Sequence, residues 1–598
     1  MDGDLRASGL RLIRLLRPDR GLYAAVIALA MCSVTLAAAG PILLGRATDI
    51  IVAGTVADGV WPVRAVGVDF SSLRTQLMWA LLTYTGASLA GLAQERLMTR
   101  VVGNLVFSVR RRVGEKMNRL PLAYYDRHPR GEVLSRATHD IDAIGQSLQQ
   151  TMSQIVGSTL TVAVVLAAMA WLSVPMMLVM VVMVPVSLKA AARMTRGAQP
   201  HFTAQRRATG ELNAHIEEAY RGQAVIKGFG REKETAEEFE RVSGSLSEAV
   251  FRSHFISGLI RPVMMFLGNL NYVVLAAVGG LLVVNGSLSV GQVQAFLMYA
   301  REFNQPFSQI AGVSTLLQSG LASAARVFEL LDEDEVAADP PEPARPGRIG
   351  GRVDFEHVSF AYTDGQPVIK DLSLSVPPGR TVAIVGPSGA GKTTLVNLLM
   401  RFYDLSHGRI LLDGVDLALM NRETVRASIG MVLQETWLFH GTIAENIAYG
   451  NPSSSPDAVV KAAEAACADD FIRSLPLGYE TVVGGGGTHL SAGEEQLICI
   501  ARAFLGRPAI LILDEATSQV DSRTEMRVRR ATNELRAGRT CFVIAHRLST
   551  IRDADVILYL ADGRIAEQGT HQGLLDAGGA YARLCAAQAG QHEERSDA

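Results

Sequence analysis

The run Gly386-Pro387-Ser388-Gly389-Ala390-Gly391-Lys392-Thr393-Thr394 has residue types and a spacing suited to gripping a chain of phosphates. It follows the pattern G-x-x-x-x-G-K-[ST], in which glycines let consecutive backbone N–H groups turn inward and a lysine meets the outer phosphates. Its flanks agree with that reading. Thr381-Val382-Ala383-Ile384-Val385 reads as a short buried strand and Leu395-Val396-Asn397-Leu398-Leu399-Met400 as a helix. The loop is therefore expected at a helix N-terminus, where partial positive charge favours anions. Lys392 is expected at the β- and γ-phosphates, and the Thr393 hydroxyl at a Mg²⁺ position. A chance glycine-rich turn would leave the Lys-Thr register unexplained, so a nucleoside triphosphate is the expected ligand.

Other strand-like runs also end in chemistry. Val353-Asp354-Phe355-Glu356-His357-Val358-Ser359-Phe360 alternates and leads to Tyr362, whose ring could stack on adenine or simply cap a sheet. Ala509-Ile510-Leu511-Ile512-Leu513 ends in Asp514-Glu515. Two adjacent acids after five apolar residues are costly unless used. Asp514 is expected to hold Mg²⁺ through water, and Glu515 to orient or deprotonate the attacking water. Thr540-Cys541-Phe542-Val543-Ile544-Ala545 delivers His546, a candidate γ-phosphate contact, and Gln434 follows Ile429-Gly430-Met431-Val432-Leu433 in a similar strand-end position.

The elements that must carry these residues make up less than half of the 598-residue chain, so several units are expected. Hydrophobic content is 48%, charged content 19%, and mean hydropathy +0.19, a low charge for a soluble protein of this size. The formal net charge of -2 argues against a nucleic-acid binder. Cys32, Cys467, Cys499, Cys541 and Cys585 lack metal-type spacing and suggest reduced thiols facing a cytosol.

The apolar excess lies in the first half. Leu10, Ile13 and Leu16 share a helical face with Arg11, Arg14 and Arg17 interspersed, as in a helix lying on the inner membrane surface. Residues 21–45 are free of charge and long enough to cross roughly 30 Å of hydrocarbon. A cleaved signal peptide ending at Ala37-Ala38-Ala39 is the competing view, but the run is long for one and further spans follow. These are residues 75–94, two spans in 143–188 with a turn at Ser173-Val174-Pro175, and two in 262–300 with a turn at Asn285-Gly286. Six transmembrane helices are expected. The basic residues concentrate between spans two and three and between spans four and five, placing both long loops and both termini in the cytoplasm. Turns near residues 131–141 and 210–218 are expected farthest from the bilayer. An acid- and proline-rich stretch, from Asp332-Glu333-Asp334-Glu335 to Pro346, reads as a solvated linker. The expected organisation is a membrane domain at 1–328, a linker at 329–352, a cytoplasmic α/β P-loop ATPase domain at 353–589 and a polar tail at 590–598.

In their order, Tyr362, the phosphate loop, Gln434, Leu490-Ser491-Ala492-Gly493-Glu494, Asp514-Glu515, Ser518-Gln519-Val520-Asp521 and His546 resemble the nucleotide-binding domain of an ABC transporter. Arg401-Phe402-Tyr403-Asp404, Leu412-Asp413-Gly414, the run from Leu438 to Ile447 and Glu567-Gln568-Gly569-Thr570-His571 also match. With six spans fused ahead, nearly the whole chain is similar to an exporter-type half-transporter, such as the actinobacterial heterodimeric multidrug or lipid exporters. The resemblance implies ATP and Mg²⁺, held by Thr393, Gln434 and Asp514. It also implies a second half-transporter chain and a multi-pass protein of the cytoplasmic membrane exporting an amphiphilic drug or lipid. ATP would be sandwiched between one chain's phosphate loop and the other's signature, so that Ser491 and the backbone at Gly493 contact the partner's γ-phosphate, with Asp521 in the D-loop. Gln434 and the turns at residues 136–141 and 213–218 would form the relay between domains.

The chain departs from the family pattern LSGGQ at Ala492 and Glu494, and Val483-Gly484-Gly485-Gly486-Gly487 lacks the acid of V-G-E-x-G. A weakened signature beside an intact Glu515 and His546 suits one half of an asymmetric heterodimer, although a homodimer tolerating the variants is also compatible. Arg301, Glu302, Asn304 and Gln305 fall in the sixth span, as pathway residues or as a mutually paired or snorkelling set. An importer on the same fold and a regulatory ATPase are the alternative classes.

Overall fold

The computed structural model describes residues 9, 11, 12, 14, 20–56, 67–344, 346, 347, 349–363, 365–433, 436–514, 522–545 and 551–587. Gln434, Glu515, the segment 518–521, His546, most of the N-terminal amphipathic stretch and the polar tail lie outside them. Contacts divide the chain into two compact units, Met1–Asn118 with Arg130–Glu333, and Arg119–Pro129 with Asp334–Ala598.

The first half of the chain runs through α1 (Arg20–Val56), α2 (Phe70–Met117), α3 (Leu122–Arg127), α4 (Arg130–Ala137), α5 (His139–Leu172), α6 (Val174–Arg221), α7 (Gln223–Phe229), α8 (Glu232–Gly258), α9 (Ile260–Val284) and α10 (Val290–Asp332). All but α3 belong to the first unit. At 1.5 Å per residue the 48 residues of α2 and of α6 extend about 70 Å, more than twice a hydrocarbon core.

Among the described residues, three stretches are long and apolar enough to cross a membrane: Gly21–Thr55, Arg130–Leu172 and Glu232–Val284, with a shorter one at Val174–Val186. The expected second span lies on α2, where Thr75, Gln76, Thr83 and Thr85 dilute the apolar run. Those threonine hydroxyls donate back to Ser71, Ala80 and Leu81 carbonyls, so the helix satisfies them internally. The expected sixth span lies on α10, whose apolar run is interrupted by Arg301 and Glu302.

Small residues set the packing of this unit. Cβ atoms added at Gly45 and Gly291 would fall 2.4 and 1.9 Å from the facing carbonyl oxygens, so α1 and α10 cross with backbones in contact. Asp49 fixes that crossing, accepting from Ser289 Oγ and Gly291 N at 2.7 Å each. The two expected turns in the long loops differ in outcome. Residues 210–218 are uninterrupted helix within α6, and the break comes at Gly222, before α7. Residues 131–141 hold most of α4, a break at Thr138 and the start of α5, and a further break at 118–121 precedes α3.

The second unit is built on a six-stranded sheet in the order β12-β11-β3-β10-β9-β6. Its strands are β3 (Thr381–Val385), β6 (Ile429–Val432), β9 (Ile510–Asp514), β10 (Thr540–Ile544), β11 (Val556–Ala561) and β12 (Arg564–Gly569). All pairs are parallel except β11 with β12. Every residue of β3 and β10 is buried, as continuous apolar runs between covered faces require. A second, antiparallel sheet carries β1 (Val353–Ala361), β2 (Pro367–Val376), β4 (His407–Leu412) and β5 (Val415–Asp416), and β1 alternates in burial as its sequence does.

The stretch expected as a solvated linker is pinned in place. α10 continues to Asp332, and beyond it Asp339 pairs with Arg422 at 2.7 Å, while Arg422 also donates to the Ala337 carbonyl. Arg401 and Arg422 are each about nine-tenths buried, so Asp339 and Asp404 supply the charge that makes their burial tolerable.

Candidate functional site

The phosphate loop connects β3 to α11 (Lys392–Leu399) with three glycines at positive φ: Gly386 at 148°, Gly389 at 80° and Gly391 at 97°. A Cβ at Gly386 would lie 2.2 Å from the Leu560 carbonyl oxygen, and one at Gly391 would lie 2.7 Å from Ile369 Cδ1. Gly386 lets the loop approach its own sheet at β11, and Gly391 lets it approach β2 of the antiparallel sheet. At Gly389 a Cβ would meet nothing within 4 Å, because that part of the loop borders open space. Pro387, Ser388 and Gly389 are exposed and Ala390 is buried beneath them.

Lys392 folds back onto this loop and donates to the Gly386 and Pro387 carbonyls, both at 2.9 Å. Burial lowers its pKa, while the negative charge of Asp514 works in the opposite direction. The electrostatic coupling places the lysine and the strand-end acid in one site, a convergence the sequence order alone does not provide. Thr393 is exposed on the first turn of α11.

Strand register explains the convergence. Ile544 of β10 is level with Ile384 of β3 and with Asp514 of β9, and Val432 of β6 is level with Leu513. Parallel strands share a C-terminal edge, so the phosphate loop, Asp514 and the chain positions that lead to Gln434, Glu515 and His546 start from one edge of the sheet.

Tyr362 sits between the two alternatives open in its sequence context. Its ring packs edge-on against Phe360 at 4.9 Å and Tyr403 at 5.1 Å, and remains 37% exposed. Its hydroxyl shares a 3.0 Å hydrogen bond with Thr394 Oγ1 on α11, which fixes the ring beside the phosphate loop. In the sequence Tyr403 stands out only as part of a matching run, and Asp126 and Arg127 carry no local signal of a role at this site. Tyr403 donates to the Asp126 carboxylate, and Arg127 donates to the Tyr362 carbonyl at 3.2 Å. Both partners come from α3, more than 230 residues earlier, and no local pattern could have paired them.

The signature residues open α16, the helix Ala492–Gly506. It follows α12 (Arg422–Ser428), α13 (Ile443–Ala448), α14 (Pro456–Ala465) and α15 (Asp469–Ser474) in the chain. Ser491 is the N-cap, and Glu494 closes a capping box with it. Ser491 N and Oγ both donate to Glu494 Oε2 at 2.8 Å. Ser491 and Ala492 are exposed, and Gly493 is buried. Upstream, Gly484, Gly485 and Gly486 have φ of 72°, 52° and 101°, and a Cβ at Gly484 would lie 2.8 Å from two carbonyl oxygens. Glycine there is a backbone requirement, and an acidic side chain at Gly485 would be strained.

The four expected pathway residues separate. Glu302 and Gln305 line a polar cavity of about 550 Å³ with Glu95, Gln94 and Gln154, whereas Arg301 borders a different, apolar groove between α9 and α10. Asn304 lies on α10 between them in sequence.

The sequence matches the family described as ABC transporter transmembrane region over residues 23–307, and the family described as ABC transporter over residues 369–518. It is 48% identical to the fatty acid ABC transporter ATP-binding/permease proteins of Mycobacterium bovis and Mycobacterium tuberculosis, covering 97% of this chain and 96% of each relative. An uncharacterised ABC transporter ATP-binding protein of Bacillus subtilis, YfiC, is 37% identical over 97% of this chain and 94% of its own. The ATP-dependent lipid A-core flippase of Syntrophus aciditrophicus is 36% identical over 82% of each chain.

Proposed function

The chain belongs to the ABC transporter family as an exporter-type ATP-binding/permease protein, and we propose that it is one half of a dimer that expels a lipid-like amphiphile across the cytoplasmic membrane. The observation carrying this reading is the shared edge of β3, β6, β9 and β10, which brings the phosphate loop and Asp514 together in a chain that also carries the apolar helices. Six spans with both termini in the cytoplasm are part of the proposal, supported by the distribution of basic residues.

In the proposed cycle the loop amides and Lys392 hold the β- and γ-phosphates, with Lys392 exchanging its two carbonyl partners for phosphate oxygens. Tyr362 presents its exposed ring to adenine. Thr393, Asp514 and Gln434 are the groups that would hold Mg²⁺, which supplies charge neutralisation between the phosphates. Glu515 orients the attacking water and His546 meets the γ-phosphate. Closing ATP between this phosphate loop and a partner's signature biases the membrane helices toward the outward-open state, and hydrolysis releases them.

A heterodimer is the favoured assembly. The Ser491 hydroxyl already donates to its own Glu494 carboxylate, which puts negative charge where a partner's γ-phosphate would approach. The relatives' names, fatty acid transporter and lipid A-core flippase, support a lipid-like cargo.

Glu515→Gln in the co-purified pair is the test. It should trap ATP and stop turnover, with ATP-dependent flux in vesicles lost in parallel. Normal hydrolysis by the variant would show that another group activates water, and uptake in place of efflux by the wild type would reverse the assigned direction.

A further inference from the structure

Resting on the transport reading above, we propose that the groove between α9 and α10 binds a single-chain anionic amphiphile, with its acyl chain along the groove and its carboxylate on Arg301.

The two helices form a hairpin, and their groove-facing residues follow helical spacing. Tyr272, Ala276, Gly280 and Val283 come from α9, and the α10 stripe runs from Val290 to Arg301. Eleven residues on each side give a length of about 16 Å. At the hairpin end the groove is lined by the aliphatic side chains of Val283 and Val290. At the other end stands Arg301, its guanidinium 5.2 Å from the centre of the Tyr272 ring. The groove thus has a largely apolar body, with Gln294 among its walls, and one cationic end.

Two adjacent glycines shape it differently. A Cβ at Gly279 would lie 2.7 Å from Val293 Cγ1, so this glycine lets α9 and α10 come close. A Cβ at Gly280 would meet nothing within 4 Å, which leaves the floor of the groove open. The resulting volume, about 370 Å³, lies at the small end of ligand sites and suits one chain better than a multi-chain lipid.

Charge selects the headgroup. Among the described residues Arg301 forms no ion pair, and the ring of Tyr272 is its only described charge-stabilising contact. An arginine at membrane depth is costly without a counter-charge, and a bound carboxylate supplies one. The neighbouring polar cavity carries Glu95 and Glu302, so it repels the same headgroup and leaves Arg301 as the anion's end of the path.

The test uses the co-purified pair in lipid nanodiscs and measures displacement of a fluorescent fatty acid by palmitate and by hexadecanol. The wild type should prefer the acid. Arg301→Gln should reduce that preference about tenfold, since a hydrogen bond to a charged group is lost. Arg301→Lys should retain most of it. Gly280→Leu should weaken the acid and the alcohol together by filling the floor. Unfolding temperatures of all three variants report on the fold, and should Arg301→Gln fail to fold, the Lys and Leu variants still decide. An unchanged acid preference in Arg301→Gln, or undiminished binding to Gly280→Leu, overturns the proposal. So does a Gly280→Cys crosslink to the partner chain that palmitate does not block, since the groove would then be a helix seat. Fatty-acid binding that follows this pattern without ATP-dependent flux would sink the transport reading and leave the site standing.

Discussion

The Tyr403 hydroxyl donates to the carboxylate of Asp126, and the Tyr403 ring lies edge-on against Tyr362 at 5.1 Å. Asp126 sits on α3, a six-residue helix in a segment, Arg119–Pro129, that groups with the second unit although the chain before and after it belongs to the first. The aromatic proposed to face adenine is thereby held, through Tyr403, by a segment that lies between α2 and α4 in the chain. Tyr403→Phe removes the hydrogen bond and keeps the ring. Because Asp126 retains access to water, the stability cost should be about 1 kcal/mol. The ATP KM should rise more than kcat falls. A thermal unfolding curve and steady-state ATPase measurements on the full chain check both, and an unchanged KM would show that Tyr362 is positioned without α3.

The phosphate-loop glycines separate folding from binding. Gly386→Ala drives a methyl into the Leu560 carbonyl and should leave little folded protein. Gly389→Ala meets open space but keeps φ at 80°, a strain of roughly 1–2 kcal/mol. It should fold, melt somewhat earlier and lose ATP affinity by more than its melting shift implies, because the added methyl enters open space beside the proposed phosphate site. Nucleotide binding by fluorescence alongside unfolding temperatures distinguishes the two.

Glu494→Gln keeps a capping box, since glutamine closes one equally well, but removes the carboxylate that holds the Ser491 hydroxyl. Stability should change by less than about 0.5 kcal/mol. In the proposed pair, with Glu515 intact, ATPase turnover should rise, because the site where this signature would meet the partner's ATP loses a repelling charge. No increase would favour a homodimer in which Glu494 is a tolerated variant.

Burial pushes the Cys541 thiol up to about 11, with the nearby Arg536 and Arg539 charges opposing the shift. A folded pKa above the unfolded one means that the stabilising contribution is complete below the unfolded value, near 9, and is lost as pH rises through about 11. The unfolding temperature should therefore decline across that window. At pH 8, iodoacetamide should modify half-buried Cys467 well before Cys541, as peptide mapping would show.

Much of this protein is written locally. The phosphate loop is legible because glycine spacing, a β-branched strand and a following helix are all short-range features, and the structure places that strand, loop and helix where the sequence reading puts them. The apolar runs of α1, α5 and α9 are legible for the same reason, since hydrocarbon thickness sets a length that composition alone can meet. Glu494 and Gly485 read in sequence only as departures from a pattern, and the capping box and the positive φ supply their physical reasons.

What the sequence could not specify is which distant residues meet. Asp126 with Tyr403, Asp339 with Arg422 and Asp49 with the start of α10 join groups separated by 277, 83 and about 240 positions. Each is an ordinary surface-type residue in its own neighbourhood. Likewise, Arg301 and Glu302 are neighbours in the chain, but a helix turns about 100° per residue, so they border different spaces of opposite character. Periodicity and spacing determine elements and their loops, whereas the pairing of faces is settled only when the chain is packed.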